Sequence, residues 1–394
     1  MKSNLWQENT PQNFWQCKTD FDEDLWWQAI QNAISILDLP AMPSDQASLA
    51  AFILGEERFG EGRWELSFPK KVYYQLKPLL PRPLIKVMRQ IYGMQGDDSL
   101  SLDWPLEDRY PRFLWEVMRQ MLMLTEKERV TLLDFWPASA NYALVLTHDI
   151  ETAKGQAFVR HVAELEADLG FRSSFNFVPE RYKLDEGLIQ ELKEKGFEVG
   201  IHGLKHDGKL FFSRSEFDKR VKKINAYLSR YQAVGFRTPL THRNPSWMQA
   251  LEIEYDLSFF DTDPFEPMPG GTMSMHPFML GNFIELPYTL PQDYTLVEVL
   301  DAKTPELWLE KVDVIEKYRG MVLLNSHPDY LIDKENWRVY ENFLISMKEK
   351  GGYWHAVPKD VADWWRKRML GKTEYQLSAS LEEQELVLSP ATAD

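Results

Sequence analysis

The pattern of apolar and polar positions changes near residue 142. From there, short apolar runs alternate with amphipathic segments, which is typical of parallel strands connected by helices. The apolar runs predict seven strands: Ala143–Thr147, Ser174–Phe177, Glu198–His202, Ala233–Arg237, Leu257–Asp261, Phe283–Pro287 and Met321–Ser326. The amphipathic segments predict helices at Gln156–Leu169, Leu184–Lys195, Ser213–Tyr231, Pro305–Tyr318 and Asn336–Lys350. This order predicts an α/β fold, a distorted (β/α)7-type barrel, with a doubly wound open sheet as the alternative.

The first third of the chain follows no such alternation and contains Trp-Pro pairs. Helical spacing predicts a helix at Asp24–Leu37, Pro83 can begin one within Leu79–Tyr92, and a third is expected at Arg112–Leu124. We interpret this region as a mixed, largely helical extension that packs against a neighbouring domain and shapes or covers its site.

The same patterns set the expected domain boundaries. Residues 1–135 are the Trp/Pro-rich extension, and residues 136–371 are the barrel. Residues 372–394 are expected to be a flexible acidic tail, because their last part is acidic and shows no core pattern.

Composition and charge narrow the choice of partners and compartment. The 394 residues are 44% hydrophobic, which excludes wholesale disorder, and the net charge of −15 argues against nucleic acid as a partner. The single cysteine, Cys17, excludes an internal disulfide framework and fits a reducing compartment. The sequence shows no apolar segment typical of a secretory signal or a transmembrane helix, so a cytoplasmic location is expected.

Polar residues follow several predicted strands, at the end where α/β barrels build active sites. Asp149 and Glu151 follow the first strand and project to the same side if the chain stays extended. Taken alone, such acids often cap the next helix. His202 and His206 follow a later strand, and imidazoles at this spacing can bind one metal ion, with Gly203 allowing a sharp exit from the strand.

Three further strands end in residues that carry chemistry. Arg237 could hold a catalytic carboxylate ionised, although a structural ion pair explains it equally well. Asp261 and Asp263 follow the next strand, where one could orient a histidine and the other could cap a turn. His327 follows the last strand and could be a general acid or a core histidine.

The order of these motifs resembles that of the polysaccharide deacetylases, the NodB-homology group of carbohydrate esterase family 4. The resemblance covers roughly residues 140–370 and depends most on the His202/His206 pair and on Arg237-Thr-Pro239. The first third also looks like the Trp-Pro-rich extensions of family members associated with bacterial surface-polysaccharide genes.

In that family a divalent metal is held by one carboxylate and the two histidines. Carried over, the resemblance implies three metal ligands: Glu151, His202 and His206. Zn²⁺ is the expected ion, with Co²⁺, Ni²⁺ or Mn²⁺ as alternatives. Many members have adjacent aspartates where Ile150 here separates Asp149 from Glu151, and we follow the acid-x-acid branches, in which the second acid binds the metal.

The resemblance also implies the catalytic roles. Asp149 becomes the base that activates water, Arg237 the cation that steadies it, and His327 the acid that protonates the leaving amine. Asp261 or Asp263 would keep His327 cationic.

The implied activity is removal of N-acetyl or O-acetyl groups from an acetylated sugar, oligosaccharide or polysaccharide precursor. A cytoplasmic enzyme would act on a nucleotide sugar or lipid-linked precursor rather than on a finished wall polymer. Two alternatives stay open at this point. The metal site could hydrolyse another C–N bond in a small amide or imide, or a degenerate site could only bind glycan or a partner protein.

Overall fold

A computed structural model of the chain describes residues 5–65, 102–268 and 270–391. The predicted helix at Leu79–Tyr92 lies outside these residues. Twelve strands lie within them: β1 Arg129–Leu133, β2 Tyr142–Ile150, β3 Ser173–Phe177, β4 Glu198–His202, β5 Gly235–Arg237, β6 Tyr255–Asp256, β7 Phe278–Leu280, β8 Phe283–Glu285, β9 Met321–Ser326, β10 Tyr353–His355, β11 Gln376–Glu382 and β12 Glu385–Pro390.

The helices fall into two groups, one before β1 and one between and after the strands. The first group is α1 Pro11–Trp15, α2 Glu23–Ala33, α3 Gln46–Leu54 and α4 Arg109–Thr125. The second is α5 Ala153–Leu169, α6 Glu186–Glu194, α7 Arg214–Tyr231, α8 Pro245–Met248, α9 Glu306–Lys317, α10 Pro328–Leu331, α11 Lys334–Lys350 and α12 Pro358–Met369. No helix in the described part of the chain has the length and apolar character needed to cross a membrane.

A curled sheet of nine strands occupies the centre of the described structure. Its order is β9-β2-β3-β4-β5-β6-β8-β7, with β10 paired to the first half of β2, and every pairing is parallel except the β7–β8 hairpin. Beyond β8, the N–H groups of Thr289 and Leu290 donate to the Leu323 carbonyl of β9 at 3.1 and 3.2 Å. The sheet therefore curls back towards β9, and the predicted distorted barrel is confirmed.

Two strands of the sheet, β4 and β9, agree best with the sequence. β4 and β9 have the predicted bounds, and all nine residues of β2 are buried. Continuous apolar runs are expected for strands covered on both faces. Their register places Asp149 opposite Asn176 and His202 opposite Arg237, so the polar ends of these strands meet.

The strand predicted at Leu257–Asp261 is wrong in its bounds, because the regular ladder covers only β6. The Asp256 carboxylate accepts hydrogen bonds from the backbone N–H and the hydroxyl of Ser258, at 3.2 and 2.8 Å. Such local side-chain bonds compete with a strand ladder. Beyond them the chain makes only an isolated bridge from Phe260 to Tyr288.

The prediction of a flexible tail is wrong for the described residues after 375. β11 and β12 form an antiparallel hairpin, and β11 also pairs with β1 of the extension along its length. Alternation places Leu377 and Ala379 of β11 in the core, and both are fully buried. Glu383 and Gln384 form the turn of this hairpin and take the positive φ angles that a tight hairpin requires. The acidic residues of the turn interrupt the short period-two pattern, so the sequence does not reveal the two strands.

The extension and the barrel share one hydrophobic core. Arg368 of α12 connects them by hydrogen bonds. Its guanidinium is fully buried and donates to three backbone carbonyls, those of Phe14, Leu133 and Asp134, at 2.8, 3.2 and 3.0 Å. The loss of this side chain would remove one donor from each of these three carbonyls, and a buried acceptor that loses its donor is costly.

We therefore expect Arg368→Met to lower the free energy of unfolding by about 3 kcal/mol, since it keeps the apolar stem and removes three donors. The exposed neighbour supplies a matched control, and Lys367→Met is expected to change stability by less than about 0.5 kcal/mol. Urea denaturation followed by tryptophan fluorescence measures both. Equal midpoints for the two variants would contradict the role assigned to Arg368.

Candidate active site

A cavity of about 100 Å³ opens at the carboxyl ends of β2, β4, β5 and β9. It brings together six of the eight predicted site residues: Asp149, Glu151, His202, His206, Arg237 and His327. Asp261 and Asp263 do not line it. Asp149 and Arg237, 88 positions apart in sequence, therefore share one site because parallel strands end at the same edge.

Glu151, His202 and His206 form a cluster whose donor atoms lie within 4.8 Å of one another. His206 Nε2 faces Glu151 Oε1 at 2.9 Å. The local backbone makes this possible: Gly203 has φ +61°, and a Cβ there would lie 2.5 Å from the Pro239 ring. The chain turns sharply after β4 and brings His206 back beside Glu151.

The orientation of His202 fits a metal ligand. Its Nδ1 faces the Arg237 carbonyl at 3.2 Å, which assigns the proton to Nδ1, and its buried Nε2 has no hydrogen-bond partner among the described residues. Burial lowers the pKa of His202 to about 4, so the ring is neutral at pH 7. An unpaired nitrogen beside a second imidazole and a carboxylate is the donor set that Zn²⁺ and similar divalent ions prefer.

Asp149 lies in a buried network of donors. Its Oδ1 accepts from Arg237 Nη1 and Asn176 Nδ2, both at 3.2 Å, and its Oδ2 accepts from Asn325 Nδ2 at 3.0 Å. A carboxylate has about four lone-pair sites, so the described residues leave one on Oδ2. That oxygen is 3.9 Å from His327 Nε2.

The neighbouring charges keep the carboxylates of Asp149 and Glu151 ionised. Burial raises the pKa of Asp149, but Arg237 and the neighbouring histidines outweigh burial and lower it to about 2. Burial likewise raises the pKa of Glu151, and His206 beside it brings the pKa well below its ordinary value. Both carboxylates are therefore ionised at neutral pH, as a base and a ligand require.

The partner of His327 differs from the prediction. Asp293 accepts hydrogen bonds from the His327 backbone N–H and from its Nδ1, at 2.6 and 2.7 Å. Burial lowers the pKa of His327, but the Asp293 carboxylate and the two other acids of the site raise it to about 10. The imidazole is therefore a cation whose Nε2 points towards the cavity.

Asp261 and Asp263 do not have the predicted role. Asp261 forms a fully buried ion pair with Lys311 at 2.6 Å. Asp263 accepts from Phe265 N–H and from the Thr295 hydroxyl, at 2.9 and 3.2 Å, behind the cavity wall. The sequence places both acids at a strand end, but in the structure their carboxylates contact Lys311, Phe265 and Thr295 rather than His327.

Sequence reasoning missed three residues of this network: Asn176, Asp293 and Asn325. Asn176 and Asn325 each lie one residue before the end of their strand, so the strand prediction carried a signal for both. Asp293 precedes His327 by 34 residues and is the N-cap of the short π-helix Tyr294–Val299, where no local pattern connects it to a histidine.

Comparison with solved structures identifies the fold. A protein from Mycobacterium smegmatis named as a polysaccharide deacetylase superposes with a TM-score of 0.50 at 17% identity, covering 60% of this chain and 94% of that chain. The fold is that of the polysaccharide deacetylases. The predicted resemblance is thus confirmed at the level of the fold, while activity is a separate question.

Two further solved structures match a similar share of this chain. A protein from Pseudomonas aeruginosa named as a polysaccharide deacetylase has 15% identity and a TM-score of 0.49, covering 59% of this chain and 93% of its own. The allantoinase PuuE has 14% identity and a TM-score of 0.49, with 59% and 92% covered. Comparison with protein-family models gives no match, and comparison with curated proteins gives none either.

The contact between His327 and Asp293 gives a prediction that does not depend on catalysis. We expect Asp293→Asn to lower the pKa of His327 below about 8, because burial then acts against the cation with less opposition. NMR titration of the histidine ring measures it. Asp263→Asn is the matched control and should leave this pKa within about half a unit of that of the unaltered protein. If Asp263→Asn lowered the pKa of His327 more than Asp293→Asn does, Asp263 would be the partner of His327, as the sequence predicts.

Proposed function

We propose that this protein is a metal-dependent hydrolase that removes acetyl groups from an acetylated sugar or polysaccharide precursor. The observation that carries the proposal is the facing pair of Asp149 and His327. An ionised carboxylate with one open lone pair lies 3.9 Å from a cationic imidazole, beside a cluster of two imidazoles and a carboxylate. Base, acid and candidate ligands therefore meet in one small cavity.

Glu151, His202 and His206 would hold the ion, and a neutral His202 needs no proton loss to bind it. When bound, a divalent cation supplies Lewis-acid polarisation of the acyl oxygen and lowers the pKa of a water molecule. Zn²⁺ is the first candidate because two nitrogen donors and one oxygen donor suit it, with Co²⁺, Ni²⁺ and Mn²⁺ as alternatives.

Asp149 acts as the general base. Three of its lone-pair sites are occupied by fixed donors, so the remaining site on Oδ2 sets the direction from which a proton arrives. Arg237 keeps the carboxylate ionised and is itself held by the Leu257 carbonyl at 2.8 Å and by the Thr147 hydroxyl at 3.0 Å. The base is therefore positioned before substrate binds.

His327 acts as the general acid. Asp293 fixes Nδ1–H, so the proton that leaves is the one on Nε2, which points towards the cavity. Breaking an amide C–N bond needs a proton on the departing nitrogen, since an amide anion is a poor leaving group. The products are acetate and a free amine.

Metal content is the first test, and we expect about one divalent ion per chain. His202→Ala and His206→Ala together should remove it, while the exposed His161→Ala should not. Elemental analysis after dialysis against zinc measures all three proteins. Equal metal content in all of them, or none in the unaltered protein, would contradict the ligand assignment.

Acetate release from acetylated oligosaccharides tests the reaction itself. We expect Asp149→Asn to lower kcat by at least about 100-fold with metal content retained, because only the base is lost. Asn325→Asp, which places a second carboxylate beside Asp149, should also lower activity while keeping the ligands. Sugar binding without acetate release by the unaltered protein would instead favour a non-catalytic site. If the unaltered protein turned over only small cyclic amides or imides, its reaction would be the hydrolysis of another kind of C–N bond.

A further inference from the structure

Glu266 lines the cavity but has no part in the proposed chemistry. It lies on the loop after β6, and its side chain is partly exposed. Its Oε2 accepts from the Thr241 hydroxyl at 2.8 Å, and its Oε1 accepts from the Gln292 amide. Each oxygen is thus anchored once and keeps a second lone pair.

These anchors connect Glu266 to the catalytic base. Gln292 Oε1 in turn accepts from Asn325 Nδ2 at 3.2 Å, and the same amide nitrogen donates to Asp149. The position of the Glu266 carboxylate relative to Asp149 is therefore set by a chain of hydrogen bonds. A carboxylate held so firmly in a partly exposed wall is a preorganised acceptor.

The cations of the cavity are already engaged. Among the described residues that line it, the positively charged side chains are Arg237 and His327, which pair with Asp149 and Asp293. Arg181 does not line the cavity and faces Glu151 Oε2 at 3.7 Å. No cationic side chain among these lining residues is therefore left to pair with a carboxylate on a bound sugar ring, and Glu266 would repel it. The proposed ion already has a carboxylate ligand of its own, Glu151.

Two aromatic rings complete the wall. Tyr294 and Tyr330 both line the cavity, with ring centroids 5.4 Å apart, and the Tyr330 ring lies 5.2 Å from that of His327. Aromatic faces beside polar acceptors suit a pyranose, which presents C–H groups on its faces and hydroxyl groups at its rim. The wall thus offers an apolar surface and one bidentate acceptor.

We propose that Glu266 selects the sugar, by accepting hydrogen bonds from two neighbouring hydroxyl groups of an uncharged pyranose and by excluding sugars whose ring carries a carboxylate. This inference rests on the proposed function, because it assigns the substrate class of the same cavity. Glu266 is a specificity-determining residue and takes no proton in the reaction.

N,N′,N″-Triacetylchitotriose (chitotriose below) and its C6-oxidised uronate form are the probes, and they differ only in the charged group at C6. Binding is measured by titration calorimetry with the full-length Asp149→Asn protein, and kcat and KM are measured with the active protein. We expect chitotriose to bind at least about 10-fold more tightly than the uronate form. Glu266→Gln should weaken chitotriose binding about 10- to 100-fold and leave uronate binding unchanged or stronger.

A deoxy-sugar series separates a direct contact from a structural effect. A deoxy sugar that lacks a hydroxyl group donating to Glu266 should bind the protein with Glu266 intact more weakly than the parent sugar does. In Glu266→Gln the same deoxy sugar should bind almost as well as the parent sugar. Glu266→Asp should recover part of the selectivity, and the exposed Glu252→Gln serves as the control without effect. The proposal is overturned if Glu266→Gln keeps the selectivity of the unaltered protein, or if the uronate form binds as tightly as chitotriose.

The two proposals fail in different ways. Acetate release with an unchanged KM in Glu266→Gln would refute the role of Glu266 and leave the hydrolase standing. Selective binding that depends on Glu266, without acetate release, would refute the hydrolase and leave the recognition role standing. Neither binding nor release with any of these sugars would refute both.

Discussion

The buried ion pair between Arg237 and Asp149 is the interaction on which the rest of the site depends. Both side chains are almost fully buried, and a charge in that position is tolerated only when it is paired and hydrogen-bonded. Arg237 uses the Thr147 hydroxyl and the Leu257 carbonyl, and Asp149 uses Asn176 and Asn325. These partners come from β2, β3, β9 and the segment directly after β6. The ion pair is therefore complete only when those segments are in register.

Opposite electrostatic environments give the proposed base, Asp149, and the proposed acid, His327, opposite charges within a few ångströms. Arg237 and the nearby histidines lower the pKa of Asp149 to about 2, while Asp293 and the other acids raise the pKa of His327 to about 10. Each group thus stabilises the charged state of the other. Pairs of titratable groups whose pKa values are driven apart in this way are typical of acid–base sites.

A buried contact of the N-terminal extension supports the wall of the same cavity. The Glu56 carboxylate is fully buried, forms an ion pair with Arg243 and accepts from the Gly271 N–H at 2.8 Å. Arg243 donates to the Thr241 carbonyl at 2.9 Å, and the Thr241 hydroxyl anchors Glu266. The extension therefore supports the loops that line the site, in addition to sharing the core of the barrel.

The sequence by itself determined the elements whose patterns are local. β4, β9, the order of strands and helices, and six residues of the cavity follow from apolar runs and from the polar residue at the end of each run. Only the tertiary structure decided which of these residues become partners. His327 pairs with Asp293 rather than with Asp261 or Asp263, and the acidic tail pairs with β1 in a separate three-stranded sheet, because both depend on which distant segments the folded chain brings together. Periodicity records the environment of a residue along its own element, whereas a contact between loops depends on where the whole sheet places their ends.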